Sequence, residues 1–245
     1  MNRMRTNPKR ERGRVPHETP SGESHRVGRP PSLTLRVSVV CLAFLLSPAS
    51  VIARTITITD LDCRRMAMIS SEAPRSSWAG HQAAAGEFSN YYAELYSTGA
   101  MLIQFPLDRI PAGQRITNAE LILPVAHLYP GGEQRLYVRR LIGDWGVGVS
   151  HQYRMTRPMK VEWTQPGARG AASDRVVRPT AVLRTSTPGD HSLNVTQDVE
   201  LWYSGQVPNQ GWIMTVEDPN VLFRLSSPTF YGKGLWKLHV TYEPE

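Results

Sequence analysis

FPLDRIPAGQRITNAELIL, Phe105–Leu123, is the stretch on which the reading of the fold turns. In its second half Ala119, Leu121 and Leu123 recur every second residue, the period that lays one face of a β-strand on a core. Phe105 and Leu107 show the same spacing at its start. Between the two runs Pro111 presets φ and Gly113 tolerates a positive φ, so Ile110–Gly113 reads as the turn that joins two strands.

Working outward, the same signal recurs along the chain. Thr55–Thr59, Ala100–Leu107, Ala119–Val125, Arg135–Ile142, Val161–Trp163, Ala181–Arg184, His191–Val195, Gly211–Val216, Val221–Leu225 and Leu235–Tyr242 all read as strands. They are separated by the turn formers YPGG, QPGARG, TPGD and DPN. Many short strands with regular turns predict an all-β fold, an antiparallel jelly-roll β-sandwich. The exception is NVTQDVELWYSGQ, where Val195, Val199 and Trp202 follow helical spacing, Asn194 or Thr196 can cap the start and Gly205 can end it. One short helix is expected there, with Trp202 as a core anchor.

The chain holds 28 basic and 21 acidic residues, but nine of the former and three of the latter precede Arg54, which leaves 19 against 18 in the remainder. The body is therefore near neutral. Arg36 followed by VSVVCLAFLLS, Pro48 and small residues up to Ala53 reads as an export signal, shorter than the roughly 18–20 apolar residues of a spanning helix. Residues 1–32 read as a disordered basic leader or an over-extended start, 33–53 as the signal peptide cleaved after Ala53, and 54–245 as a single domain. A secreted protein results, one that meets the membrane only during export. Only Cys63 then remains, so no internal disulfide is expected and the core must supply the stability.

Chemistry-bearing motifs are sparse. There is no Gly-x-Ser-x-Gly elbow, no phosphate loop and no His-x-His or Cys-x-x-Cys pair among His81, His127, His151, His191 and His239. YGKGLW, Tyr231–Trp236, loosely resembles a signature of jelly-roll alginate lyases, but the Gln-x-His that accompanies it is missing. Asp60 with Asp62, or Asp218 with Asn220, offers hard oxygens of the kind calcium takes. The richest material is RLYVRRLIGDWGVGVSHQYRMTRPMK, in which Arg139, Arg140, Arg154 and Arg157 interleave with Trp145 and Tyr153. With Trp78 in the irregular Ser70–Asn90 stretch, these are the candidate ligand contacts. Flat rings stack on sugar faces, and guanidinium groups match uronate carboxylates or sulfates in pairs. For each residue alone the plainer reading is the stronger one, arginines on solvated strand faces and aromatics in the core. Such a groove would also fit single-stranded nucleic acid, a partner that export removes.

MLIQFPLDRIPAGQRITNAELIL resembles the hallmark of DNRLRE-type domains, secreted β-sandwiches that include carbohydrate-binding modules. Leu102, Phe105, Leu107, Ile110, Pro111, Gly113, Ile116, Ala119, Leu121 and Leu123 fall on the pattern. Pro106 replaces its usual Asp, Gly146 its usual acid after the middle Trp, and the hexapeptide that names the family is absent. The resemblance implies an exported, noncatalytic, cofactor-free module that binds polysaccharide. The alternatives are a structural or adhesive module that binds a cell-surface or matrix component and, more remotely, a polysaccharide lyase.

Overall fold

The computed structural model describes residues 52–76, 78–79, 92–226 and 236–245. The stretches expected to be a basic leader and, through residue 51, an export signal, most of the Ser70–Asn90 stretch and Tyr231–Leu235 lie outside them.

Fourteen strands and one α-helix are described: β1 Arg54–Thr59, β2 Arg65–Ser70, β3 Trp78–Ala79, β4 Tyr92–Leu95, β5 Gly99–Gln104, β6 Gln114–Tyr129, β7 Gln134–Arg140, β8 Tyr153–Met155, β9 Val161–Glu162, β10 Ala181–Thr185, β11 Gly189–Asn194, α1 Thr196–Tyr203, β12 Trp212–Thr215, β13 Leu222–Ser226 and β14 Lys237–Pro244. They form an all-β sandwich of two six-stranded antiparallel sheets, with β8 and β9 as a separate pair.

One sheet is organised on the sixteen-residue β6. β11 occupies one edge of β6 over Glu120–Val125. β14 and β13 therefore share the other edge end to end, β14 along Gln114–Ile122 and β13 along Val125–Tyr129. β1 then pairs with β14 and β4 with β13. The other sheet runs β10-β7-β12-β5-β2-β3.

The opening stretch joins the two sheets. Phe105 and Ile110 are buried, and Gly113 at φ +71° closes the turn, but β5 belongs to one sheet and β6 to the other. The connection is a crossing over the core rather than a hairpin within one sheet, and the first strand ends at Gln104, short of the expected Leu107. Ala119, Leu121, Leu123 and Val125 face inward as their period requires. The pairing with β14 steps from Thr241 opposite Asn118 to Tyr242 opposite Ile116 and skips Thr117, a bulge in β6 itself that lets Ile116 face the core as well although it lies three residues from Ala119.

Facing them from the second sheet are Met101, Ile103, Leu136, Val138, Trp212 and Met214. Helix α1 closes this core with Val199 and Trp202, whose ring lies 4.6 Å from that of Trp212. Asn194 Oδ1 accepts from the Thr196 amide at 3.1 Å, while the Thr196 hydroxyl accepts from Ala119 N on β6 and so ties the helix to the sheet.

The outer side of the second sheet is also covered. Ala67, Ile69, Ala100, Leu102 and Ile213 project outward from the sheet and pack against Leu141, Trp145, Val149, Trp163 and Ala168, a second apolar cluster. Residues 141–175 thus form a roof over that sheet. Arg65 pins it: its guanidinium lies 5.0 Å from the Trp145 ring centre and donates to Asp144, Gln104 and Gln210.

Candidate functional site

The expected ligand contacts are not assembled into one surface. Arg139 and Arg140 leave opposite faces of β7. Arg139, 8% exposed, donates to Glu217 at 2.6 Å and to Thr215, and it lies over the Tyr137 ring. Arg140 points to the helix, where its Nε lies 3.0 Å from Asp198, a carboxylate that also accepts from Trp212 Nε1 and the Thr180 hydroxyl. Trp145 is 1% exposed and donates through Nε1 to Gln210 O. Tyr153 is 7% exposed beneath the Lys160 ammonium. Both rings are core of the roof, which is the plainer reading of them, and neither presents a face to a ligand. The paired arginines Arg139 and Arg140 are held by acids and are not solvated strand faces. Arg154 is half-buried and Arg157 exposed. The side chain of Trp78 lies outside the described residues.

The roof meets the sheet in a cleft of about 680 Å³. Its floor is made by strand ends and turns: Ser71 after β2, Ser97 and Thr98 between β4 and β5, and Thr215 to Glu217 at the end of β12. His151, Arg169 and Arg175 overhang it from the roof. This is the constellation that sequence reasoning missed.

The roof loop is built around one carboxylate. Asp174, 1% exposed, accepts from the backbone amides of Thr164, Gln165 and Gly170 at 2.9–3.0 Å. Its own carbonyl accepts from Ile142 N and Gly143 N, so the loop is also stitched to the end of β7. Within this loop Ala168 and Ala172 take φ of 55° and 63°, a left-handed conformation that costs a residue with a Cβ about 1 kcal/mol or more. Such geometry persists where surrounding contacts over-determine it, here the Asp174 acceptor and the buried Ala168 side chain. The result is a fixed base for Arg169 and Arg175. Arg169 is held further by its bond to Ser97 O at 2.7 Å.

The cleft is cationic. Arg169 and Arg175 line it and Arg139 lies below, against one lining acid, Glu217, which Arg139 already engages. Arg175 has its pKa lowered by burial first, then by the positive charges of Arg139 and Arg169. His151 is shifted below the usual 6.5, by burial and then by Arg169. Both directions follow from positive charge crowded into a partly desolvated site. Among the described residues, Arg175 Nη1 is buried without a hydrogen-bond partner. A buried charged donor left unmatched is costly, a cost that an anionic acceptor would relieve.

The remaining expectations can be placed. Asp62 accepts from Thr59 N and Arg109, Asp60 Oδ1 from Trp236 N, and Asp218 Oδ1 from Asn220 N, so the carboxylates considered for calcium serve local structure. Among the described residues no group of three or more His, Cys, Asp or Glu is gathered that could hold a metal, and no helix is long and apolar enough to cross a membrane. Compared with known protein families and with curated proteins, the chain finds no match.

Proposed function

We propose that the protein is an exported, noncatalytic module that binds an anionic polysaccharide through the cleft under the roof. The observation that carries this reading is the pair Arg169 and Arg175 on a rigid loop, with a guanidinium nitrogen on Arg175 buried and unmatched and, among the described residues, one lining acid, Glu217, which Arg139 already engages. Guanidinium recognises planar carboxylates and sulfates in a bidentate way, and Ser71, Ser97 and Thr98 on the floor offer hydroxyls to the neighbouring sugar hydroxyls. The leader that resembles an export signal and the likeness to DNRLRE-type domains support an extracellular role of the same kind.

Affinity electrophoresis through gels containing uronate, sulfated or neutral polysaccharides tests the reading. Retardation by at least one acidic polymer is expected, with Arg175→Ala weakening it about tenfold or more and leaving thermal unfolding little changed. No retardation by any acidic polymer would sink the proposal, and release of unsaturated sugars would replace it with a lyase.

The cleft also predicts a pH dependence. A bound anion offsets the repulsion that Arg169 exerts on a protonated His151, so the ligand raises the His151 pKa. By linkage, affinity rises as the pH falls below the usual 6.5 while uronates remain charged. Binding several-fold tighter at pH 5 than at pH 7 is expected for the native protein, and a flat profile for His151→Gln. Affinity that falls on acidification would contradict the assignment of His151 to the site.

A further inference from the structure

On the other sheet, at the β4 and β13 end of β6, the registers place two rows of side chains across three strands of the outer face. Glu94, Arg224 and His127 stand opposite one another on β4, β13 and β6. Two residues on, in the next row, Leu222 faces Tyr129, and Tyr96 continues the β4 register on its other side. With neighbouring strands about 4.8 Å apart, the two tyrosines stand roughly 10 Å from each other across Leu222. They enclose a groove of about 430 Å³, closed at one end by Pro219 and Asn220. Its floor is the buried Leu222, and its walls are exposed rings, Tyr96 at 41% and Tyr129 at 66%.

The polar row sets the character of what fits. The Glu94 carboxylate accepts from Arg224 Nε at 2.8 Å and from the Tyr96 hydroxyl at 3.4 Å. The ion pair cancels the charge of the groove, in contrast to the cationic cleft. The same carboxylate faces the Tyr96 hydroxyl and orients the ring only weakly. What remains is an apolar floor, two aromatic faces, and donors and acceptors of both kinds along the side. That is the complement of a pyranose ring, whose C–H faces are apolar and whose rim carries hydroxyls.

We infer that this groove is a second carbohydrate site, one that takes an uncharged pyranose ring. It shares no lining residue with the arginine cleft and stands whether or not the cleft takes an anion.

Titration of the 15N-labelled protein with neutral hexasaccharides of glucose, mannose, galactose and xylose, followed by amide chemical shifts, tests it. Saturable shifts at Tyr96, Leu222 and Tyr129 are expected for at least one sugar, with Kd in the millimolar range. Tyr129→Ala should weaken binding about tenfold, Tyr129→Phe should retain most of it, and Arg175→Ala should leave it unchanged. Tyr129 is exposed enough that its loss spares the fold, which thermal unfolding of the variant checks. If no neutral sugar shifts these amides, or if Tyr129→Ala binds as tightly as the native protein, the inference is overturned. Neither result touches the reading of the arginine cleft, which acidic polymers and Arg175→Ala test separately.

Discussion

Replacement of Asp174 by alanine is expected to destabilise the protein by about 3–5 kcal/mol, because it orphans three backbone amides that one buried carboxylate now satisfies. The loop it holds also carries two non-glycine residues at positive φ, a conformation the loop abandons once the acceptor is gone, which offsets a small part of the loss. The loss should not be confined to the loop, since Trp163 and Ala168 seal the second apolar cluster on the sheet. Chemical denaturation followed by tryptophan fluorescence would measure it. Asp174→Asn keeps one oxygen acceptor and should lose roughly half as much. A loss below about 1 kcal/mol in the alanine variant would show that the loop is held by something other than this carboxylate. The anion binding proposed for the cleft depends on the same loop geometry and should fall in parallel.

Gly211→Ala is the second large effect. Gly211 has φ +76°, and a Cβ there would lie 2.1 Å from the carbonyl oxygen of Ile103 and 2.8 Å from Cα of Gln104. Both obstacles are backbone of β5, the strand that pairs with β12, and the Gly211 carbonyl accepts from Leu141 N at 2.9 Å at the entry to the roof. No side-chain rotation relieves that clash, so the β5 and β12 strands must separate locally. A destabilisation of at least about 3 kcal/mol is expected, read as a lowered denaturation midpoint. An alanine variant with native stability would mean that the close approach of Gly211 to β5 is wrong.

How much of this was legible in the sequence depended on which sheet a residue occupies. In the sheet built on β6 the outer face is largely open, so inward and outward residues differ in polarity. TITIT and AELILPV therefore alternate visibly, and the expected strands Thr55–Thr59 and Ala119–Val125 correspond to β1 and β6. The second sheet is covered on both sides. WIMT in β12 is buried at all four positions, and RMAMIS in β2, buried on both faces, shows no alternation, so β2 passed unread. The short helix was legible because Val195, Val199 and Trp202 needed only local periodicity, and Trp202 is indeed a core residue.

The candidate site was harder, for a physical reason. A tryptophan that seals a core and one that stacks on a sugar have the same spacing to their neighbours, and only the roof packing separates Trp145 from a platform. QPGARGAASDR reads as a turn-rich segment. Nothing local reveals that Asp174 reaches back to the amides of Thr164 and Gln165, or that this closure aims Arg169 and Arg175 at turns more than seventy residues away in sequence. The tyrosine groove needs the pairing of β4, β13 and β6 before Tyr96 and Tyr129 become neighbours. Their separation along the chain hides it.

The roof has a consequence for how such a protein can diversify. Its loop is pinned by its own carboxylate and by an apolar cluster on the outer face of the second sheet, while the inner face of that sheet closes around a separate core. Mutations that retune the residues overhanging the cleft leave the strand registers untouched, and mutations that repack the inner core leave the overhang in place. The residues that overhang the cleft and those that fill the inner core are thereby largely separate sets of positions, so descendants of one ancestral sandwich can change the chemistry of the cleft without relearning how to fold.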